Sequence, residues 1–368
     1  MNDFVGVVNP RIFDIPDYDQ GHVTDCWENK SIHRLMSNES SYRPLLPVIE
    51  AIQEIAGESN YYAEDPTYAY ELRGQLADYA SVEADNITLG NGSIELLDIL
   101  FQVLLVNPGS DHCLLPQPDY SAYIPRLKYF GWVYEEVTYE EGELNFASEI
   151  LNRVTPNTKF ILLSRPNNPF GTMIPKTDIE QMLDTGLIVV VDEAYIELAG
   201  EGASVSSWVR ERENLIVTRT FSKGFCLAGI RLGYLIAHPK IIRYINRSKH
   251  IFNVNLAAMA AGKATMRHLE EYQTRFAQIA DTRDRITERI ERISGLSAKK
   301  SFGNFILVNT SQAGIKASCF VDMLLCHEYY VRDFSSKPGL DSDSYFRVSV
   351  GKEDEMEELV SILEDFIN

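Results

Sequence analysis

The sequence predicts an α/β protein: a mostly parallel sheet covered by helices on both faces, with a smaller α+β unit made from the two chain ends. Three observations carry this. From about residue 86, short apolar runs alternate with helical or turn-rich segments. The runs are nearly continuous in apolar character, as strands buried on both faces require. After Asn253 the texture changes to long charged helix, then to strands and a closing amphipathic helix.

In chain order, Asn86–Leu89 reads as a strand and Ile94–Leu105 as a helix by its apolar spacing. Cys113–Leu115, Phe160–Leu163, Leu187–Val191, Leu215–Val217 and Gly233–Ala237 are the further strand-like runs. Beyond Asn253, the stretch through Arg267 and on to Ile293 reads as a connecting helix. Phe305–Val308, Tyr330–Arg332 and Phe346–Val350 then read as strands and Glu353–Ile367 as a helix. We expect residues 1–44 to join 253–368 in a small domain, and 45–252 to form a large one. A chain of 368 residues exceeds the roughly 250–300 at which single cores stop growing.

Composition removes several function classes. There are 53 acidic against 34 basic residues and a formal charge of −19, so neither nucleic acid nor an anionic membrane is an expected partner. Any bound anion must meet locally clustered arginines. Five cysteines, Cys26, Cys113, Cys226, Cys319 and Cys326, form no CxxC pair, which indicates neither a metal knuckle nor a disulfide framework. A reducing, cytoplasmic setting fits, and the start, Met-Asn-Asp-Phe-Val-Gly, has no basic region before an apolar run. No run of about 18 apolar residues occurs, so we expect no membrane insertion.

The chemistry centres on Arg219-Thr-Phe-Ser-Lys-Gly-Phe-Cys-Leu-Ala-Gly-Ile-Arg231. A catalytic lysine must lose its proton, and a tight, partly apolar turn near other cations promotes that. Around Lys223, Thr220 and Ser222 offer hydroxyls, Gly224 and Gly229 loosen the loop, and Arg231 offers a fork suited to phosphate. Leu89-Gly-Asn-Gly-Ser-Ile-Glu95 is a glycine turn between strand and helix, whose free N–H groups favour an anion. It is not a dinucleotide loop, because Glu95 stands where the third glycine should be. Asp192 ends a strand, where open α/β sheets place ligand groups; by itself it reads equally well as a helix cap. Asn168, in Arg165-Pro-Asn-Asn-Pro-Phe-Gly-Thr172, reads alone as a simple turn.

These segments, with Ser37-Asn-Glu39, Pro118-Asp-Tyr120, Asp192-Glu-Ala-Tyr195 and Phe346-Arg-Val-Ser-Val-Gly351, resemble the fold-type I aminotransferases. The nearest likeness is to the histidinol-phosphate aminotransferase group, with threonine-phosphate decarboxylase as a relative. The resemblance runs over nearly the whole chain. It implies a seven-stranded-type large domain, pyridoxal 5′-phosphate as cofactor, and a homodimer with shared active sites. Lys223 would be the Schiff-base lysine and proton shuttle, Asp192 would hold the pyridine nitrogen, and Asn168 with Tyr195 the phenolic oxygen. Tyr120 would stack on the ring. Gly92, Ser93, Thr220, Ser222 and Arg231 would hold the phosphate, and Tyr62, or its neighbour Tyr61, would reach the partner subunit's phosphate.

The resemblance also implies an amine or amino acid and a 2-oxo acid as substrates, with decarboxylation as the alternative reaction. Asn38, Arg332 and Arg347 would face the substrate, the two arginines as an anion clamp. Departures from the group's pattern gather there: Arg43 stands where a glycine is expected, Ile94 replaces an acid, Asp119 a small hydroxyl residue, and Phe170 a threonine. We expect Arg43 either to contact a strongly anionic substrate or to face solvent.

Overall fold

Strand–helix alternation folds as expected. The structure, a computed structural model, describes residues 8–16, 29, 31–138, 146–341 and 343–367. Cys26 and the first seven residues, on which the leader expectation rests, lie outside these. The elements are, in order, β1 (His33–Leu35), α1 (Leu46–Ala56), α2 (Tyr70–Ala80), β2 (Ile87–Gly90), α3 (Gly92–Leu104) and β3 (His112–Gln117). Then come α4 (Tyr123–Phe130), β4 (Val133–Thr138), α5 (Phe146–Leu151), β5 (Thr158–Ser164), α6 (Lys176–Asp184), β6 (Ile188–Asp192), β7 (Leu215–Thr220) and β8 (Gly233–Ala237). The last are α7 (Pro239–Ser248), α8 (Leu256–Arg267), α9 (Leu269–Glu291), β9 (Ser297–Ala298), β10 (Phe305–Asn309), α10 (Ala317–Cys326), β11 (Tyr329–Asp333), β12 (Tyr345–Ser349) and α11 (Glu353–Ile367).

Seven strands form one sheet in the order β2-β8-β7-β6-β5-β3-β4. Pairings from β7 through β4 are parallel, whereas β8 is antiparallel to both β7 and β2. The cause is local. Parallel strands need a crossover of a dozen or more residues, usually a helix, and the segment joining β7 to β8 holds only one short 3-10 turn, Ala228–Ile230. The chain therefore turns back. That reversing segment is the lysine string.

Val189–Val191 and Leu215–Val217 are fully buried, and so are Phe160–Leu163; helices cover both faces, which is why these runs carry no polar alternation. Strand β4 was not evident in the sequence, since its Glu135 and Glu136 belong to a sheet edge, where charge guards against further pairing.

A second sheet, β1-β11-β12-β10-β9, unites the two ends of the chain, with β1 parallel to β11. The expected single connecting helix is instead two. His268 leaves helical geometry (φ −114°, ψ 33°) and separates α8 from α9. Neither proline nor glycine marks this break, so residue type gave no warning.

Candidate active site

The carboxyl ends of β5, β6 and β7 lie side by side, and register places Ser164, Asp192 and Thr218 in one row. Asp192 is buried; its Oδ2 accepts from the Tyr123 hydroxyl at 2.8 Å and its Oδ1 from Thr218 Oγ1 at 3.0 Å. Burial pushes its carboxyl up, and these two hydrogen bonds pull it back toward the anion. Beside it, Asp119 accepts from the backbone N–H groups of Ser164 (3.0 Å) and Tyr120 (2.7 Å) and from the Ser164 hydroxyl. Burial pushes Asp119 up to about 7. The Tyr120 ring meets Tyr123 edge-on, with centroids 5.3 Å apart.

Across the pocket, the β7–β8 connection presents Lys223. Its Nζ donates to the Ser37 carbonyl at 2.9 Å and lies 5.8 Å from the centre of the Tyr195 ring. Burial, then the cations Arg347 and Arg231, lower its pKa to about 8, against the pull of Glu39 and Asp192. The free amine is thus accessible near neutral pH.

A chain of hydrogen bonds ties the two sheets together here. Arg347 Nη1 donates to Asn168 Oδ1 at 2.6 Å, and Nη2 to the Met36 carbonyl at 2.9 Å. Asn168 Nδ2 donates to the Tyr195 hydroxyl at 3.2 Å, and Asn38 Nδ2 to the same oxygen at 3.0 Å. A hydroxyl has two acceptor sites and one donor. With both acceptor sites engaged by amides, Tyr195 keeps its O–H to donate into the pocket. Burial raises its pKa, so the proton stays on. The Arg347 guanidinium lies 5.3 Å from the Phe305 ring centre and 5.1 Å from that of Phe334, and Arg332 pairs with it across β11 and β12 and lines the same pocket.

At the other end, α3 begins at Gly92 with φ +73°, and a Cβ there would stand 2.8 Å from Arg231 Nη2. Arg231 Nη1 reaches Ser222 Oγ at 3.4 Å, and Thr220 Oγ1 donates to Ser222 Oγ at 2.9 Å. A helix N-terminus, two hydroxyls and an arginine fork thus converge on one cup. Gly233 lets β8 pass beneath it: an added Cβ would lie 2.4 Å from the Gly92 carbonyl carbon and 2.6 Å from Ser93 N. We expect Gly233→Ala to lower stability by about 1–3 kcal/mol and to weaken cofactor retention. Thermal melts of the apo and holo protein and spectrophotometric cofactor titration would register both effects.

Most of the residues singled out in the sequence therefore line one cavity of about 340 Å³: Asn38, Ser93, Tyr120, Asn168, Asp192 and Tyr195, with Thr220, Ser222, Lys223, Arg231, Arg332 and Arg347. Gly92 backs it. Three do not reach it. Arg43 is exposed, its carbonyl accepts from Arg275 Nη1 at 2.6 Å, and its φ is not positive. The expected contact of Arg43 with substrate is thus not formed within the chain, and the solvent-facing alternative describes it. Tyr62 is 80% and Tyr61 68% exposed; the Tyr62 ring stacks on Phe252 at 4.7 Å, away from this chain's own cavity. Sequence reasoning missed Tyr123, Thr218 and Phe334. Thr218 was findable, since strand alternation puts it on the same face as Thr220.

The donor set fits pyridoxal phosphate. A buried carboxylate suits a protonated pyridine nitrogen, a partly buried amine of lowered pKa suits its aldehyde, a hydroxyl donor suits its phenolic oxygen, and the glycine-lined cup suits its phosphate. Fold and site together define a pyridoxal-phosphate enzyme of fold type I.

Comparison with known proteins agrees. The model of the aminotransferase class I and II family matches residues 30–363. Histidinol-phosphate aminotransferase of Methanothermobacter thermautotrophicus is 32% identical, over 98% of this chain and 97% of that protein. Histidinol-phosphate aminotransferase 2 of Archaeoglobus fulgidus is 30% identical over 99% and 100%. Among solved structures, histidinol-phosphate aminotransferase from Sinorhizobium meliloti in complex with pyridoxal-5′-phosphate superposes with a TM-score of 0.84 at 26% identity, covering 98% of this chain and 97% of that one. L-threonine-O-3-phosphate decarboxylase from Porphyromonas gingivalis shares the fold at 20% identity and a TM-score of 0.77, over 91% and 99%. The chain belongs to the aminotransferase class I and II family and is a pyridoxal-phosphate-dependent aminotransferase.

Proposed function

We propose that the protein moves an amino group from histidinol phosphate to 2-oxoglutarate. The observation that carries this reading is the pair Arg332 and Arg347, side by side across β11 and β12 and lining the same cavity as Lys223, together with what the relatives' names say they act on. When bound, the cofactor supplies an aldehyde carbon that takes up amines and a pyridine ring that accepts electrons from the substrate's α-carbon.

Lys223 acts as the base that removes the α-proton and as the acid that returns it. Asp192, held by Tyr123 and Thr218, would keep the ring nitrogen protonated, and Tyr195, tied to Asn168, would donate to the ring oxygen. Tyr120 would pack against the ring. Gly92, Ser93, Thr220, Ser222 and Arg231 would hold the phosphate. Arg347 and Arg332 orient the anionic end of either substrate, while Asn38 steadies Tyr195 close to it.

The same reading makes the protein a homodimer in which Tyr62 reaches the partner subunit's cofactor phosphate. It is supported by exposed aromatic side chains, Tyr62 stacked on Phe252 and Tyr68 beside Tyr70, of a kind that marks interfaces. Residues 45–252 would carry the cofactor, and 1–44 with 253–368 would form the smaller domain. Among the described residues no helix is long and apolar enough to cross a membrane. Free Cys113, Cys226, Cys319 and Cys326 suit the cytoplasm.

One assay tests the reaction. Purified holoenzyme given histidinol phosphate should form glutamate only when 2-oxoglutarate is present. Carbon dioxide release from threonine phosphate without any oxo acid would overturn it in favour of decarboxylation.

A further inference from the structure

We propose that Lys337 is a third cation of the substrate end and adapts it to a group carrying two negative charges, a phosphomonoester or a dicarboxylate. The inference rests on the reading that Arg332 and Arg347 receive the substrate anion. It concerns a lysine that neither the motifs nor the family likeness singled out.

The charge balance of the cavity is the first ground. Of the charged side chains lining it, Lys223, Asp192 and Arg231 face the cofactor, and Glu39 is paired with Arg34 at 3.1 Å. The other charged side chains lining it are the cations Arg332, Arg347 and Lys337 and one acid, Asp119. Asp119 is moreover turned inward to Ser164 and Tyr120, and burial holds it near neutrality at about 7. Three cationic side chains gathered in a cavity with partly apolar walls suit a group of more than one negative charge.

Geometry is the second ground. Lys337 Nζ donates to the Asp119 carbonyl at 2.8 Å, and among the described residues it forms no ion pair. An ammonium has three donors, so two remain for a ligand. The turn bearing Lys337 is seated, not pendant: the Lys337 N–H bonds the Phe334 carbonyl at 3.1 Å, and the Leu340 N–H bonds the Lys337 carbonyl at 3.2 Å. Gly339, at φ +82°, lies so close to the end of β3 that a Cβ would be 2.8 Å from Gln117 Cγ and 3.0 Å from Pro118 N. Phe334 of the same turn packs over Arg347. One short turn thus positions both a cation and the cover of its neighbouring arginine. Burial lowers the pKa of Lys337 while Asp119 and Glu136 oppose this, which marks an ammonium with much to gain from an arriving anion.

The test is anion binding by calorimetry on the holoenzyme, whose cofactor phosphate fills the other cup. Inorganic phosphate, succinate and acetate would be titrated into wild type, Lys337→Met and Lys337→Arg. We expect Lys337→Met to weaken the dianions on the order of tenfold, to leave acetate within twofold, and to be largely rescued by Lys337→Arg. A larger loss for phosphate identifies a phosphomonoester site, and a larger loss for succinate a dicarboxylate site. Gly339→Ala, which displaces the turn but keeps the lysine, should show the same selective loss, and an intact holoenzyme spectrum certifies the fold of each variant. Unchanged phosphate and succinate affinity in Lys337→Met, or equal weakening of all three anions, overturns the proposal. Should histidinol phosphate prove not to be a substrate, the functional reading falls, while phosphate and succinate binding still decides the role of Lys337.

Discussion

Lys223→Ala is expected to abolish transamination while leaving the fold intact. Loss of a positioned proton-transfer group alone costs roughly 10²–10⁴ in rate, and this variant also loses the amine proposed to bind the cofactor covalently. Borohydride reduction followed by mass measurement should find the cofactor attached to wild type and to none of the variant; a retained adduct would mean another lysine carries it. Stability should not fall. The folded protein holds Lys223 at about 8, below its ordinary 10.5, so its protonated form is disfavoured by folding. That penalty applies below about 8, tapers between 8 and 10.5 and is absent above, so the alanine variant should melt no lower than wild-type apo-protein at neutral pH. The same value predicts the rate profile. If the free amine is the base, about a tenth of it is available at pH 7, and activity should climb with pH to a plateau above about 8. A rate independent of pH from 6 to 9 would exclude Lys223 as the titrating base.

What the sequence disclosed and what it hid follow a physical line. Lys223, Ser222, Thr220 and Arg231 were legible because they lie within one reversing segment, where residue type and short-range spacing are the geometry. Asp192 was legible because a buried strand must end in something polar at the ligand edge of the sheet. The bond from Tyr123 to Asp192 was not, since it joins residues 69 apart through a hydroxyl with no local signature. The Arg347–Asn168–Tyr195–Asn38 chain spans separations of 179, 27 and 157 residues, and only the packing of the two sheets creates it. Arg43 stayed open for the converse reason. A charge close in sequence to site residues could be read either as a substrate contact or as facing solvent, and the second holds: its backbone serves Arg275 and its side chain is exposed. Strand β4 and the break at His268 escaped because an edge strand carries charge and a helix can end without glycine or proline.

Asp192→Asn separates electrostatic function from structural support. The asparagine oxygen can accept from Tyr123 and its amide can donate to Thr218 Oγ1, so both partners of the carboxylate, at 2.8 and 3.0 Å, remain satisfied. What disappears is the negative charge proposed to face the pyridine nitrogen. Removing one member of a buried charge pair costs about 3–5 kcal/mol, and if all of it falls on the transition state the rate drops roughly 10²–10⁴-fold. The apo-protein should respond in the opposite sense. Burial raises the Asp192 pKa above its ordinary 3.8, so folding disfavours the carboxylate. The resulting penalty is absent at low pH, grows as pH rises from the ordinary value through the raised one, and is complete above. Apo Asp192→Asn should therefore melt at or above wild type at pH 7, with the difference shrinking in acid. Parallel loss of apo stability and activity would instead make Asp192 a structural residue, and its place beside the pyridine nitrogen would have to be given up.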